Sequence, residues 1–219
     1  MIRQSVARMA IIAAMAASAT PAQAEGGPIS VSFADAPISA LPPGFTAERT
    51  GGGAPADWKI VEDDTMAGGR VLAQTNSDRT DYRFPLAIYQ PVSAANVEVS
   101  VRFKAVAGSI DRAAGLAVRL ADRDNYYVVR ANALEDNVNL YRVIKGNRSE
   151  IQGTRHKVSS GVWHTLGLKV TGDRFAVSFD GAELYSASDR SLPQAGKVAL
   201  WTKADSVTHF TALTITPLP

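Results

Sequence analysis

Beyond the first 25 residues, apolar and polar side chains alternate in short runs broken by Gly, Asn, Asp and Pro, and no stretch carries the 3.6-residue period of a helix. Such runs, recurring about every 8–12 residues, predict an all-β chain. The expected strands are 29–34, 58–63, 70–75, 82–88, 97–105, 114–121, 126–132, 137–145, 149–153, 163–171, 174–179, 182–187, 197–202 and 207–216. Gly146-Asn147, Gly172-Asp173 and Asp180-Gly181 stand between such runs and supply the positive φ that tight hairpins need, so the second half reads as a meander of antiparallel hairpins. Between Ala36 and Asp57 the chain is punctuated by Pro37, Pro42, Pro43, Pro55 and Gly51 to Gly53, which predicts a long surface connection.

Period-two alternation gives every strand two faces. Leu116, Val118 and Leu120 oppose Gly115, Ala117 and Arg119; Tyr127, Val129 and Ala131 oppose Tyr126, Val128, Arg130 and Asn132. Val138 and Leu140 oppose Asn137, Asn139 and Tyr141, while Val198 and Leu200 oppose Ala199, Trp201 and Lys203. The first set of each pair is core. If these strands are neighbours, the second sets form a platform of Tyr126, Tyr141 and Trp201 interleaved with Arg119, Arg130, Asn132, Asn137, Asn139 and Lys203. Flat rings cover the C–H faces of a sugar while amides and guanidinium groups satisfy its hydroxyls, so these nine are the expected ligand-binding residues. A plain solvated face would also place Tyr and Arg outward, but Asn is disfavoured in strands and three Asn stand here.

Composition narrows the class. The chain has 219 residues, 46% hydrophobic and 20% charged, with no Cys, which excludes a collagen, a disordered tail and a disulfide scaffold. Residues 1–24 read as a signal peptide: Arg3 and Arg8 precede an apolar run over 9–17, and Ala22-Gln23-Ala24 supplies the small-x-small cleavage pattern. The apolar run is far below the roughly 20 residues that cross a bilayer. A periplasmic or secreted protein with one domain over 25–219 is therefore expected. Without Arg3 and Arg8, the remaining 21 of 23 basic residues balance 21 acidic ones, which removes the electrostatic support for a nucleic-acid partner and gives none for membrane insertion.

Catalytic motifs are scarce. Glycosidases need two carboxyl groups about 5–9.5 Å apart, yet no E-x-E or E-x-D-x-E pattern occurs. The acids Glu62-Asp63-Asp64, Asp122-Arg123-Asp124 and Glu135-Asp136 fall at strand ends or turns, and Glu135 and Asp136, beside the platform, are the candidate catalytic residues. His156, His164 and His209 show no metal-ligand spacing, so no metal is expected, and no cofactor motif occurs. Asp122-Arg123-Asp124-Asn125 offers oxygen ligands for Ca²⁺ but lacks the Gly and distal Glu of a calcium loop, which makes it a turn first.

Five segments together resemble a known family: Arg112-Ala113-Ala114-Gly115-Leu116; the run 125–138 (Asn-Tyr-Tyr-Val-Val-Arg-Ala-Asn-Ala-Leu-Glu-Asp-Asn-Val); Trp163-His164-Thr165-Leu166; Phe179-Asp180-Gly181; and 196–206. They resemble secreted bacterial proteins of the concanavalin A-like lectin/glucanase superfamily, in particular the 3-keto-disaccharide hydrolase or family-16-glycoside-hydrolase-like group. The resemblance runs over about residues 45–215. It implies a two-sheet antiparallel jelly-roll sandwich whose concave face carries the site. The paired catalytic glutamates of laminarinase-type members have no counterpart here. The resulting expectation is a lectin-like carbohydrate-binding jelly roll with a saccharide or polysaccharide partner. A glycoside or keto-disaccharide hydrolase on the same face is the alternative, and a structural or protein-binding envelope sandwich the third. An acid facing Arg130 across the concave groove would favour the enzyme, and a groove blocked by loops the structural protein.

Overall fold

The alternation is realised as fifteen strands and no helix among residues 27–219, the part of the chain that the computed structural model describes. The leader and its cleavage site lie outside the described residues. In chain order the strands are β1 (Ile29–Val31), β2 (Phe45–Gly51), β3 (Trp58–Glu62), β4 (Arg70–Gln74), β5 (Arg83–Ala94), β6 (Val97–Ala107), β7 (Ala113–Asp122) and β8 (Asn125–Asn132). They continue as β9 (Asn137–Ile144), β10 (Asn147–Arg155), β11 (Trp163–Thr171), β12 (Arg174–Phe179), β13 (Ala182–Ser188), β14 (Gly196–Trp201) and β15 (Val207–Pro217). Every pairing is antiparallel.

Two sheets result, the layered arrangement of a jelly roll. One has the order β13-β12-β11-β6-β15-β4-β3 with β1 also on β15; the other runs β10-β9-β8-β7-β14-β5-β2. The hairpin meander of the second half is thus divided, β7 to β10 in the seven-stranded sheet and β11 to β13 in the other. Leu116, Val118, Tyr127, Val129, Leu140, Val198 and Leu200 from the first meet Val101, Phe103, Leu166, Leu168, Val170 and Phe210 from the second in one buried core. The parity expected from sequence therefore holds across most of both inner faces.

Three departures from the expected pattern bear on the outer face. The segment 36–57 is not all surface connection: Phe45–Gly51 is the edge strand β2, paired with β5 from Phe45↔Tyr89 to Gly51↔Arg83. Its sequence, Phe-Thr-Ala-Glu-Arg-Thr-Gly, has one large apolar residue and no alternation, so the period gave no signal. The β9–β10 hairpin turns on Lys145 and Gly146, with φ of 51° and 77°, one residue earlier than expected, as a type I′ turn allows. Finally, β7 carries a bulge between Val118 and Asp122, where Arg119 adopts φ of 49°. The bulge shifts the following side chain by one position, so Leu120 leaves the inner core for the outer face.

The segment after β13 is bound back to the seven-stranded sheet through Asp189. Tyr127 Oη donates to Asp189 Oδ1 at 2.7 Å, Arg142 Nη1 to Oδ2 at 2.6 Å, and the Leu192 amide donates to Tyr127 Oη at 2.9 Å. Burial pushes the Tyr127 hydroxyl up to about 12. Burial also works to raise Asp189, but donors from Tyr127, Ser191 and Arg142 outweigh it and hold the carboxyl down to about 2. A depressed folded-state pKa contributes stability that is complete above the unfolded value and is lost as pH falls through the folded one. Asp189→Asn should lower stability by about 2 kcal/mol at pH 7, and the gap to the wild type should close between about pH 4 and pH 2. Denaturant melts at both ends of that window check this; a gap unchanged at pH 2 contradicts it.

Candidate functional site

Strand register brings eight of the nine expected ligand-binding residues to the outer face of the seven-stranded sheet. Arg130 lies between Gly115 and Asn139, Asn132 between Ala113 and Asn137, and Tyr141 beside Val128. Trp201 pairs with Gly115 and Tyr126 with Val143, while Lys203 lies two residues beyond the end of β14. Arg119 is the exception. Its guanidinium donates to the carbonyls of Ala95, Gly172 and Leu192 and lies 5.6 Å from the Phe175 ring, so the bulge has turned it into a clasp for loops away from this face.

The face is not the open platform that alternation suggested. Tyr126 and Trp201 have no accessible surface, and they pack with Phe84, Leu86, Val128, Tyr141 and Val143 in a second apolar cluster outside the sandwich. The sheet achieves this by curling. Thr50 on β2 and Tyr126 on β8 are separated by three strands, about 19 Å in a flat sheet. Their hydroxyls are nevertheless 2.8 Å apart, with Trp201 Nε1 donating to Tyr126 Oη at 3.2 Å. Tyr82, just before β5, reaches the β9–β10 turn: its hydroxyl donates to Gly146 O at 2.9 Å and accepts the Arg148 amide at 2.6 Å. The outer face is therefore folded over its own centre.

What stays accessible lies in two places. One is a groove of about 790 Å³ whose lining includes Thr46, Glu48, Ile88, Leu120, Lys145 and Lys197. The other is an ion-paired cluster at the end of β8. Asp205 accepts the backbone N–H groups of Ser109, Ile110 and Asp111 at 2.8 to 3.0 Å, which sets the loop between β6 and β7. That loop delivers Asp111, fully buried, to Asn132 Nδ2 at 2.8 Å and Lys203 Nζ at 2.8 Å. Lys203 also binds Asp81. Arg130 Nη2 donates to Glu135 Oε2 at 2.6 Å and Asn137 Oδ1 at 2.9 Å, and its guanidinium stands 5.4 Å from the Tyr141 ring. Arg130 Nε is buried without a hydrogen bond among the described residues.

Exposure sorts these groups. The Arg130 and Lys203 side chains are 3% and 10% exposed, whereas Glu135 and Asp81 are 47% and 73% exposed, so two buried cations open to solvent through two carboxylates. Burial raises the Asp111 carboxyl against the pull of Lys203 and Arg130. Burial would also raise Glu135, but the Asn137 amide and the Arg130 charge prevail and lower it. Burial works against the Lys203 charge, yet Asp111 and Asp81 raise its pKa. Glu135 is consequently an acceptor at neutral pH. The other candidate acid, Asp136, is elsewhere: its carboxylate takes Lys157 Nζ at 3.0 Å and the Val158 amide at 3.1 Å, pinning the 133–136 turn to the chain before β11.

Asp81, Asp111, Arg148 and Glu150 were not legible as site residues. The two aspartates come from loops remote in sequence from β8. Arg148 and Glu150 did carry a signal, because they alternate with Ser149 on β10 and register places Glu150 against Tyr141. Of the calcium candidates, Asp122 spends both oxygens on its own turn, accepting from the Asp124 amide and Asn125 Nδ2. The segment is a turn. His164 and His209 each contact a carboxylate, Asp180 at 2.8 Å and Asp63 at 2.6 Å.

No protein-family model matches the chain, and no curated protein does either. Solved structures do. A carbohydrate-binding module, CBM66 from Bacillus subtilis, is similar at a TM-score of 0.59 and 18% identity, over 78% of this chain and 94% of that one. A beta-glucanase of Bacillus licheniformis is similar at 0.55 and 12%, over 89% and 99%. A Bacillus subtilis protein of unknown function with a galectin-like fold is similar at 0.55 and 10%, over 78% and 88%. The chain has the concanavalin A-like, galectin-like jelly-roll fold.

Gly115 is what admits Trp201 to the sheet centre. A Cβ there would stand 2.9 Å from Val129 O and 3.0 Å from Trp201 Cε3, so the ring or the strand must shift. Gly115→Ala should cost about 1–3 kcal/mol and change the near-ultraviolet circular dichroism of the buried indole. An unaltered spectrum and melting temperature would show that the indole does not depend on this clearance.

Proposed function

We propose that this is an exported saccharide-binding jelly roll, acting in the periplasm or outside the cell, that holds a neutral sugar at the mouth formed by Asp81, Glu135, Asn137 and Lys203. The observation that carries the reading is the buried Arg130, gripped by an exposed Glu135 and by Asn137. Buried ion pairs are poor sources of stability compared with apolar packing, so a fold with an apolar face available has little physical reason to build one there. Recognition supplies a reason. A sugar hydroxyl both donates and accepts, and the mouth alternates donors on Asn137 and Lys203 with acceptors on Asp81 and Glu135. The cations are already matched by carboxylates, which favours neutral over acidic sugars. The carbohydrate-binding module and the beta-glucanase among similar structures support the same class of ligand.

Binding is favoured over hydrolysis. Glu135 contacts Arg130 from the turn that follows the same strand, not from across the groove as the enzyme reading expects, although the keto-disaccharide hydrolase resemblance points toward hydrolysis. Asn137 and Arg130 also keep Glu135 ionised, which removes it as the proton-donating acid, and the other candidate acid, Asp136, is engaged by Lys157 and the Val158 amide. Calorimetric titration with cellotetraose, mannotetraose, laminaritetraose and xylotetraose should find a binder among them. Glu135→Gln should weaken that binding about tenfold or more, since a hydrogen bond to a charged group contributes about 1.5–3 kcal/mol. A reducing-sugar assay should register no turnover. Release of reducing ends, abolished by Glu135→Gln, would make the protein a hydrolase; absence of binding at millimolar sugar would leave a structural or protein-binding sandwich.

A further inference from the structure

Arg148 occupies an unusual position. Its guanidinium carbon lies 4.8 Å from the centroid of Phe84, 4.5 Å from Tyr141 and 5.9 Å from Trp201, rings contributed by β5, β9 and β14. These rings are almost fully buried, and Arg148 is the cation resting on all three. Its Nη1 is buried and makes no hydrogen bond among the described residues. The attraction of a cation to aromatic faces is offset here by a buried donor without an acceptor, so this resting place is not a deep one.

We propose that Arg148 is a displaceable cap and that the surface beneath it, Phe84, Tyr141 and Trp201, is an aromatic subsite that takes the C–H face of a sugar ring. This rests on the saccharide reading above and adds to it a second contact and the means by which it is opened. The rings are suited to stacking because Gly115 seats the Trp201 indole low on the sheet, with Phe84 5.2 Å away at an interplanar angle of 32°. Moving the cap requires only its side chain to rotate, while the Tyr82 ring stays against Phe84, centroids 4.6 Å apart. The Arg148 backbone stays where Tyr82 Oη accepts its amide, and β10 is the terminal strand of the sheet, with no further strand hydrogen-bonded to it among the described residues. A resting place off the rings is at hand. Asp81, 73% exposed, is close enough for the Arg148 charge to contribute to lowering its pKa, and Glu150 lies two residues along the same strand. An outward Arg148 would exchange an aromatic contact for a carboxylate while a sugar ring takes its place. The uncovered subsite adjoins the ion-paired mouth through Tyr141, whose ring touches both Arg148 and Arg130.

The test uses the same four tetrasaccharides with the wild type, Arg148→Ala and Arg148→Met, following the Trp201 indole cross-peak by ¹⁵N NMR, its assignment fixed by loss in Trp201→Phe. Removing the cap should tighten binding about threefold or more. Binding to the wild type should move the Trp201 cross-peak toward its position in the sugar complex of Arg148→Ala. Arg148→Met keeps a stem over the rings without the charged plane, so it carries the comparison if the alanine variant fails to fold. Weaker binding by the variants, or binding that leaves the Trp201 signal in place, overturns the cap and leaves the saccharide reading standing. No binding by any of the three proteins overturns both.

Discussion

The second apolar cluster, packed outside the sandwich on the seven-stranded sheet, is the constraint on which the rest of this molecule depends. Trp201 and Tyr126 have no place in the inner core because strand parity turns them outward, and the sheet removes them from water by curling over them. The Thr50–Tyr126 contact and the Tyr82 bridge to the β9–β10 hairpin are the polar ties that hold the curl. The aromatic rings thereby become a floor, and polar groups are left at the accessible margins.

Those margins differ in chemistry. At the end of β8 the ions are organised from beneath: Asp205 sets the loop that carries Asp111, and Asp111 in turn engages Asn132 and Lys203. Each step satisfies a buried polar group through another, and the last members, Glu135 and Asp81, emerge into solvent. The groove at the β2 margin has a volume of about 790 Å³, and within it Lys197 donates to Gln90 O and Gln90 Nε2 to Thr46 Oγ1. At the end of β8 the polar groups also pair with one another, but there buried cations hold exposed carboxylates in place, and that preorganisation favours recognition.

Much of this was legible in the chain because alternation is a local property. Leu116, Val129, Leu140 and Leu200 face the core, and Arg130, Asn132, Asn137 and Asn139 share the opposite face, as their parity demands. Parity does not report curvature, so the burial of Trp201 was not readable from β14 alone. Nor does it survive a bulge: one residue at positive φ sent Arg119 to the loops and Leu120 outward. β2 escaped notice because an edge strand whose partner supplies most of the apolar surface needs little of its own. Asp81 and Asp111 were beyond local reading, since tertiary contacts alone bring them to Lys203.

The central claim is that sugar is recognised at the ion-paired margin of the curled face, with the floor beside it. Mapping backbone and side-chain amide shifts while titrating a binding tetrasaccharide tests this most directly. The account predicts that the largest changes fall on Asp81, Glu135, Asn137, the segment around Lys203 and the Arg148 and Trp201 side chains. Changes centred on Thr46, Gln90, Lys145 and Lys197, or on the eight-stranded sheet, would contradict it.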